Sequence, residues 1–222
     1  LINAGVESLQ YIVRDGNRSE TQDNFLPFIV QAIAQPNDIS TCRSAINCFS
    51  DLLLTIGSCD DSNNHQLKEE CNSKISHLHN ELIQSVVNNL ESAETPSEIK
   101  PDLFTCLSCF YWEMKELVMP FHQRILNISN IAVTTPIDAW SEEDRMWVEH
   151  LYCSVVELWD SMSTVVFSMG ENAMSFLKGT LEFVGRILVS KLDSPQLAKS
   201  MLLMLRDIAC EMGERGASYV RS

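Results

Sequence analysis

Apolar residues recur every three or four positions along most of this 222-residue chain. That spacing matches one face of an α-helix and differs from the strict alternation of a half-buried strand. The clearest apolar stripes lie in Ser40–Ile56, Pro96–Met114 and Leu197–Met212. A helix of this kind is apolar on one side and cannot bury that side alone. The pattern therefore predicts an all-α fold in which amphipathic helices pack against one another.

A second set of predicted helices alternates with the first. Two of these helices carry a Pro-Phe pair, at Pro27-Phe28 and Pro120-Phe121, where we expect the proline in the first helical turn. Helices of the first set end alike, with Asp six residues before Gly at Asp51 to Gly57 and at Asp207 to Gly213. The second set is predicted at Asn24–Gln35, about His77–Ser92, Glu116–Val133 and Ala173–Ser190.

The helix stops are spaced as in a repeat protein. With Gly16, Gly170 and Lys115 counted as further stops, successive stops lie 41, 58, 55 and 43 residues apart. The shorter spacings fit one helix pair per repeat of the HEAT or armadillo type. We attribute the longer ones to a polar loop at Ser58–Ser73 and to a long helix at about Ser141–Met169. The predicted fold is an α-α superhelix, a HEAT-repeat solenoid over 1–222, with a half repeat at 2–16 and helix pairs at 24–57, 77–115, 116–170 and 173–213.

The charge of the chain narrows the classes of partner. Thirty acidic and 16 basic residues give a formal net charge of −14. A surface of that sign repels nucleic acid and attracts basic polypeptides, although it could also serve only to keep the surface soluble. Most of the eight cysteines lie within apolar helical runs, which favours a reducing, intracellular setting. We find no signal peptide or membrane span, and the opening at Leu1 suggests a segment of a longer protein.

No pattern of residues predicts catalysis. The five histidines do not form a zinc pair, and there is no phosphate-binding glycine loop or Gly-x-Ser-x-Gly motif. Cys106 and Cys109 have metal-ligand spacing, but they lie in mid-helix without a second pair. We therefore predict a protein without enzymatic activity, cofactor or metal site.

The order of the helices resembles the importin-β (karyopherin-β) family, in particular its C-terminal half. The resemblance covers nearly the whole chain, with Cys109 and Lys115 standing where the repeat pattern would place Asp and Gly. The residues that carry it are Phe25–Ile29, Cys42–Ile46, Asp51–Gly57, Ile99–Phe104, Lys115–Ala132, Glu149–Gly170 and Leu177–Val189.

This resemblance implies a role in importing proteins into the nucleus. The family binds importin-α or basic cargo through its C-terminal half, docks on Phe-Gly nucleoporins, and releases cargo on binding Ran-GTP through its other half. It implies a location in the cytoplasm, the nucleus and the nuclear pore. Two alternatives remain open: a HEAT-repeat scaffold or regulatory subunit, and another karyopherin such as an exportin.

Three sets of residues are candidates for binding these partners. The apolar stripe of the predicted long helix runs from Val148 to Val166 and places Trp159 in the core. Its outer line contains carboxylates and Cys153 without an intervening Lys or Arg. These carboxylates would repel one another unless a basic partner lay along them, although the line could also be a solvated helix face. Trp112 projects away from the apolar stripe of its own helix and could anchor an interface, or pack on a neighbouring repeat. The outer line comprises Glu142, Glu143, Glu149, Glu157 and Asp160, and the Phe-Gly docking candidates are Phe25, Phe28, Ile29, Phe121 and Ile125.

Overall fold

The computed structural model of the chain describes residues 19–35, 38–57, 78, 80–134, 141, 144–169, 173–189 and 194–219. Within these ranges the chain is helical and contains no β-strand, so the all-α prediction is confirmed. The predicted half repeat at 2–16 and the two glutamates at 142 and 143 lie outside the described residues.

The helices follow one another with short connections. Turns of 3-10 helix at Ser97–Ile99 and Met119–Phe121 lead into two of them. The helices are α1 (Ser19–Ala34), α2 (Ile39–Gly57), α3 (80–91), α4 (Lys100–Glu113), α5 (Lys115–Val118), α6 (His122–Ala132), α7 (Arg145–Met169), α8 (Ala173–Val189) and α9 (Pro195–Tyr219).

Side-chain caps explain where two of these helices begin. Asp38 accepts hydrogen bonds from the backbone N–H of Ser40 (3.1 Å) and from the hydroxyl of Thr41. It therefore caps α2, which begins at Ile39. Ser194 accepts a hydrogen bond from the N–H of Leu197 (3.1 Å), and Pro195 follows as the first residue of α9. In both cases a polar oxygen satisfies backbone donors that the helix itself leaves free.

Several predicted helix boundaries are wrong. Helix α1 begins at Ser19 instead of Asn24, so Pro27 lies within the helix and not in its first turn. The helix predicted at Glu116–Val133 is divided into α5, a 3-10 turn containing Pro120, and α6. Helix α7 begins four residues later than predicted, because Ser141 folds back to bond the side chain of Asp144 (2.7 Å).

Gly213 does interrupt the last helix, as its place in the Asp-to-Gly pattern predicted. Its backbone departs from helical geometry, with φ 11° and ψ −130°. Helical structure then resumes up to Tyr219, so the glycine divides α9 instead of ending it. The predicted grouping of helices into four pairs remains a prediction.

The residues group into two compact units, Leu1–Arg124 and Ile125–Ser222. In the first unit α2 packs against α1 and α4, with the rings of Phe49 and Phe110 5.3 Å apart. Arg43 of α2 spans the start of α4, where it pairs with Asp102 (2.9 Å) and donates to the carbonyl of Glu98 (3.0 Å). The core of this unit is the buried apolar face that the sequence pattern predicted.

In the second unit α7 packs most extensively against α9. Tyr152 and Trp159 of α7 contact the ring of Phe183 of α8 edge-on, at centroid distances of 5.3 and 5.4 Å. The indole N–H of Trp159 donates to the hydroxyl of Ser129 on α6 (2.9 Å). The predicted apolar stripe of α7 is buried along its whole length, at Val148, Leu151, Tyr152, Val155, Trp159, Met162 and Val166.

Candidate partner-binding surface

The acidic residues predicted along α7 differ in their exposure and in their contacts in the structure. Glu149 is only partly exposed, and its carboxylate accepts a hydrogen bond from the hydroxyl of Ser194. Because that same hydroxyl caps α9, Glu149 helps to fix the start of a neighbouring helix. Cys153, expected on the same outer line, is 7% exposed and belongs to the core.

Glu157 and Asp160 do face outward from α7. Burial raises the pKa of Glu157, and the nearby His150 opposes the rise. Asp160 is half-buried, and its Oδ1 atom lies beneath the surface without a hydrogen-bond partner. Burial raises its pKa to about 6, and repulsion from Asp207 and Glu157 adds to the rise. The negative charge of ionised Asp160 is thus not fully offset by the groups around it.

The third carboxylate of this surface comes from α9. Asp207 forms two hydrogen bonds with the guanidinium of the adjacent Arg206, at 2.6 and 2.9 Å. This pairing lowers the pKa of Asp207, so its carboxylate stays ionised beside Asp160. We refer to Glu157, Asp160 and Asp207 as the acidic patch.

Reasoning from the sequence identified two of the three members of the acidic patch. Asp207 was noticed only as the aspartate that precedes Gly213 by six residues. Asp51 in α2 likewise precedes its glycine by six residues. This repeat of an aspartate at equivalent positions of two helices was the sequence signal that could have pointed to Asp207. Asp207 lies beside α7 because α9 packs against that helix. Periodicity within a single helix does not predict such packing.

Trp112 lies on the exposed side of α4, as predicted. Its side chain is 47% exposed, whereas its neighbours Phe110 and Tyr111 are fully buried. A large exposed ring is a common anchor for a protein interface. The structure therefore leaves Trp112 available, in the first compact unit.

The candidates for Phe-Gly docking differ in exposure. Phe28 is 66% exposed and Phe121 is half-buried. Ile29 and Ile125 are 4% and 0% exposed, so they belong to the packed interior and could at most form the floor of a shallow pocket. The side chain of Phe25 lies outside the described residues.

A groove between α6 and α8 was not predicted. It has a volume of about 820 Å³ and is lined by Asn130, Val133, Thr134, Lys178, Gly179, Glu182, Gly185, Arg186 and Val189. Arg186 closes one end by donating to the carbonyls of Val133 (3.0 Å) and Thr134 (3.2 Å). A Cβ atom at Gly185 would meet nothing within 4 Å, so the groove is open at that point.

Among the described residues, no group of three or more His, Cys, Asp or Glu side chains could hold a metal ion. Cys106 and Cys109 are both buried, and burial raises the pKa of the Cys106 thiol far above its usual range. Buried thiols with raised pKa values are poor nucleophiles and poor metal ligands. Of the helices that the structure describes, none is sufficiently long and apolar to span a lipid bilayer.

Comparison with known proteins gives two matches. The family model described as importin subunit beta-1-like, TPR repeats, matches residues 15–221. A solved structure titled "Crystal Structure of Importin Beta in an Ammonium Sulfate Condition" is similar at 15% sequence identity and a TM-score of 0.69, over 85% of this chain and 20% of that one. No curated protein matches the chain.

The structural match confirms the predicted fold class. The chain has the all-α fold of HEAT-repeat proteins, which importin beta also has. It spans about one fifth of the length of that solved chain.

Proposed function

This chain belongs to the importin subunit beta-1-like family, and from that premise we propose that it is a segment of a nuclear transport receptor that binds basic polypeptide. Its ligand would be a Lys- and Arg-rich segment of an importin-α-type adaptor or of a cargo protein. We further propose that it derives from the C-terminal half of the receptor, with Ran-GTP bound elsewhere in the parent. It would then act in the cytoplasm, the nucleus and the nuclear pore.

The observation that best supports a basic ligand is the state of Asp160. Its ionisation is opposed by burial and by Asp207, and its buried oxygen receives no hydrogen bond. A lysine or arginine placed against the acidic patch would offset the repulsion among the three carboxylates and favour the ionised form of Asp160. The net charge of −14 would also draw such a segment toward the chain.

The test is the affinity of the chain for a lysine-rich peptide, measured by fluorescence anisotropy. We expect the double variant Glu157→Gln, Asp160→Asn to bind about tenfold more weakly, which corresponds to ~1.4 kcal/mol for two partly exposed ion pairs. The matched control is Glu182→Gln on α8, whose carboxylate is exposed and lies 3.8 Å from Lys178. It removes negative charge outside the acidic patch.

Two results would count against the proposal. Unchanged affinity in the double variant would show that the patch does not contact the peptide. An equal loss in Glu182→Gln would show that the peptide responds only to net charge. A version of the peptide with every lysine replaced by glutamine should not bind.

We propose in addition that the groove between α6 and α8 receives Phe-Gly segments. The family resemblance implies docking between outer helices, which we identify with the second set because the docking candidates lie in its helices. Helices α6 and α8 both belong to that set. Gly185 makes the proposal testable, because a leucine placed there would fill the groove without meeting a neighbouring atom at its Cβ. Gly185→Leu should abolish binding of a Phe-Gly peptide, whereas Gly185→Ala should preserve it and stabilise α8 by about 0.5–1 kcal/mol.

The same binding experiment separates this function from that of a HEAT-repeat scaffold. A scaffold subunit would share the helices but would have no reason to bind both basic and Phe-Gly peptides. Failure of both peptides to bind the wild-type chain would favour the scaffold. An importin and an exportin both use repeats of this kind, so identifying the cargo and its direction of transport is needed to tell them apart.

A further inference from the structure

Two buried side chains contact each other across the connection between the end of α4 and His122. The hydroxyl of Tyr111, near the end of α4, lies 2.8 Å from Nδ1 of His122, the first residue of α6. Tyr111 is 0% exposed and His122 is 4% exposed. Between them the chain leaves helical geometry at Met114, with φ −139° and ψ 51°, and passes through α5 and a 3-10 turn. The hydrogen bond thus joins the two ends of an irregular connection.

The hydrogen bonding favours one protonation state of the histidine. Nε2 of His122 is buried and has no hydrogen-bond partner. If Nδ1 accepts the tyrosine proton, only the Nε2–H group is left unsatisfied. If Nδ1 carries the proton instead, both Nε2 and the tyrosine O–H lack a partner. The neutral ring with hydrogen on Nε2 is therefore the better arrangement, since each unsatisfied buried group costs about 1–3 kcal/mol.

A protonated ring does not fit this site. Both ring nitrogens would then be donors. Nδ1–H could still donate to the Tyr111 oxygen, but the Tyr111 O–H would lose its acceptor and a positive charge would lie in the core. Burial accordingly lowers the pKa of His122 from 6.5. The charged group nearest along α6 is Arg124, and it is held by Glu91 of α3 through a hydrogen bond of 2.7 Å to Oε1. Lys115 and Glu116 of α5 are exposed.

We propose that the Tyr111–His122 pair is an acid-sensitive contact, which stabilises the connection from α4 to His122 while the ring is neutral and destabilises it when the ring is protonated. The folded state takes up this proton less readily than the unfolded state does. The stabilisation is therefore present above about pH 6.5 and is lost as pH falls through the lower pKa of the folded ring. This inference does not depend on the proposed transport function.

Hydrogen exchange of the purified chain tests the proposal. After correction for intrinsic exchange rates, the opening constant of peptides covering 100–132 should rise by up to about tenfold between pH 7.5 and 5.5. In His122→Asn the amide oxygen can accept the tyrosine hydrogen bond but cannot ionise, so the rise should disappear. His150→Asn, at an exposed histidine of α7, should behave as the wild type does.

Nitrogen NMR of the wild-type ring gives a second measurement that needs no variant. We expect His122 to carry hydrogen on Nε2 and to titrate below the midpoint of the denatured chain. Hydrogen on Nδ1, an ordinary midpoint, or an equal pH-dependent rise in His122→Asn would each overturn the proposal. If His122→Asn does not fold, the ring tautomer and midpoint still decide it.

Discussion

Asp160 places a charge where water reaches it only in part. One of its carboxylate oxygens is buried without a donor, and Arg206 of α9 is already engaged by Asp207. An exposed aspartate would lose nothing by ionising, whereas this one loses hydration and gains a repulsive neighbour. The effect should be visible in stability, independently of any partner.

We predict that Asp160→Asn is more stable than the wild type at pH 7.5. The folded-state pKa of about 6 lies above the unfolded value of 3.8, so the protonated carboxyl contributes stability below pH 3.8 that is lost as pH rises through 6. The difference in unfolding free energy should be on the order of 1 kcal/mol at pH 7.5 and should shrink toward pH 5. Urea denaturation at the two pH values measures it. A variant that is less stable at both would show that the carboxylate has an unseen donor.

The exposure of individual residues could be predicted where one helix determines it. The phase of the apolar stripe correctly assigned Trp159 to the core and Trp112 to the surface. It failed at Cys153, which is buried although its position along the helix predicted an outward direction. It could not assign Glu149 to the cap of α9, since that role depends on Ser194, 45 residues further along the chain.

At the scale of helices, α6 and α7 are joined by a polar contact within the apolar core. Ser129 accepts from the indole of Trp159 and donates to the carbonyl of Leu126 in its own helix. Both side chains are buried, so loss of the serine oxygen would leave the indole N–H without a partner.

Ser129→Ala should therefore lower the unfolding free energy by about 1–3 kcal/mol. Ser108→Ala is the matched control, because that buried hydroxyl bonds to the carbonyl of Phe104 in its own helix. Denaturant titration followed by circular dichroism measures both. Equal losses in the two variants would mean that the indole contact contributes nothing of its own.

Helix ends were harder to predict than helix interiors. Periodicity places the middle of α2, α4 and α9 correctly, but their ends depend on single polar groups such as Asp38 and Ser194. Helix α1 differs most, because proline rules favour a start near Asn24 and the structure continues the helix through Pro27.

At the scale of the whole chain, charge is the property most open to experiment. An excess of 14 negative charges produces a field that salt screens, since the Debye length is only ~10 Å at 0.1 M. The order of the helices and the fold class followed from the repeating pattern alone. The division into two compact units did not follow from that pattern, because it depends on packing between helices.

We predict that the affinity for a lysine-rich peptide falls severalfold when salt is raised from about 50 to about 300 mM. Binding of a Phe-Gly peptide should change little, because it buries apolar groups. Anisotropy titrations with both peptides at the two salt concentrations make the comparison. A basic peptide whose affinity is insensitive to salt would not be bound by the carboxylates.

Several buried hydroxyls of the described helices donate within their own helix. Ser108, Ser161 and Thr180 each donate to a carbonyl three or four residues earlier. Bonds of this kind form together with the helix and do not specify which residue a neighbouring helix must supply. Polar bonds between helices do, as from Trp159 to Ser129 and from Asn89 to the carbonyl of Ile33. The few side chains that make them are therefore the ones that select a particular register between neighbouring helices.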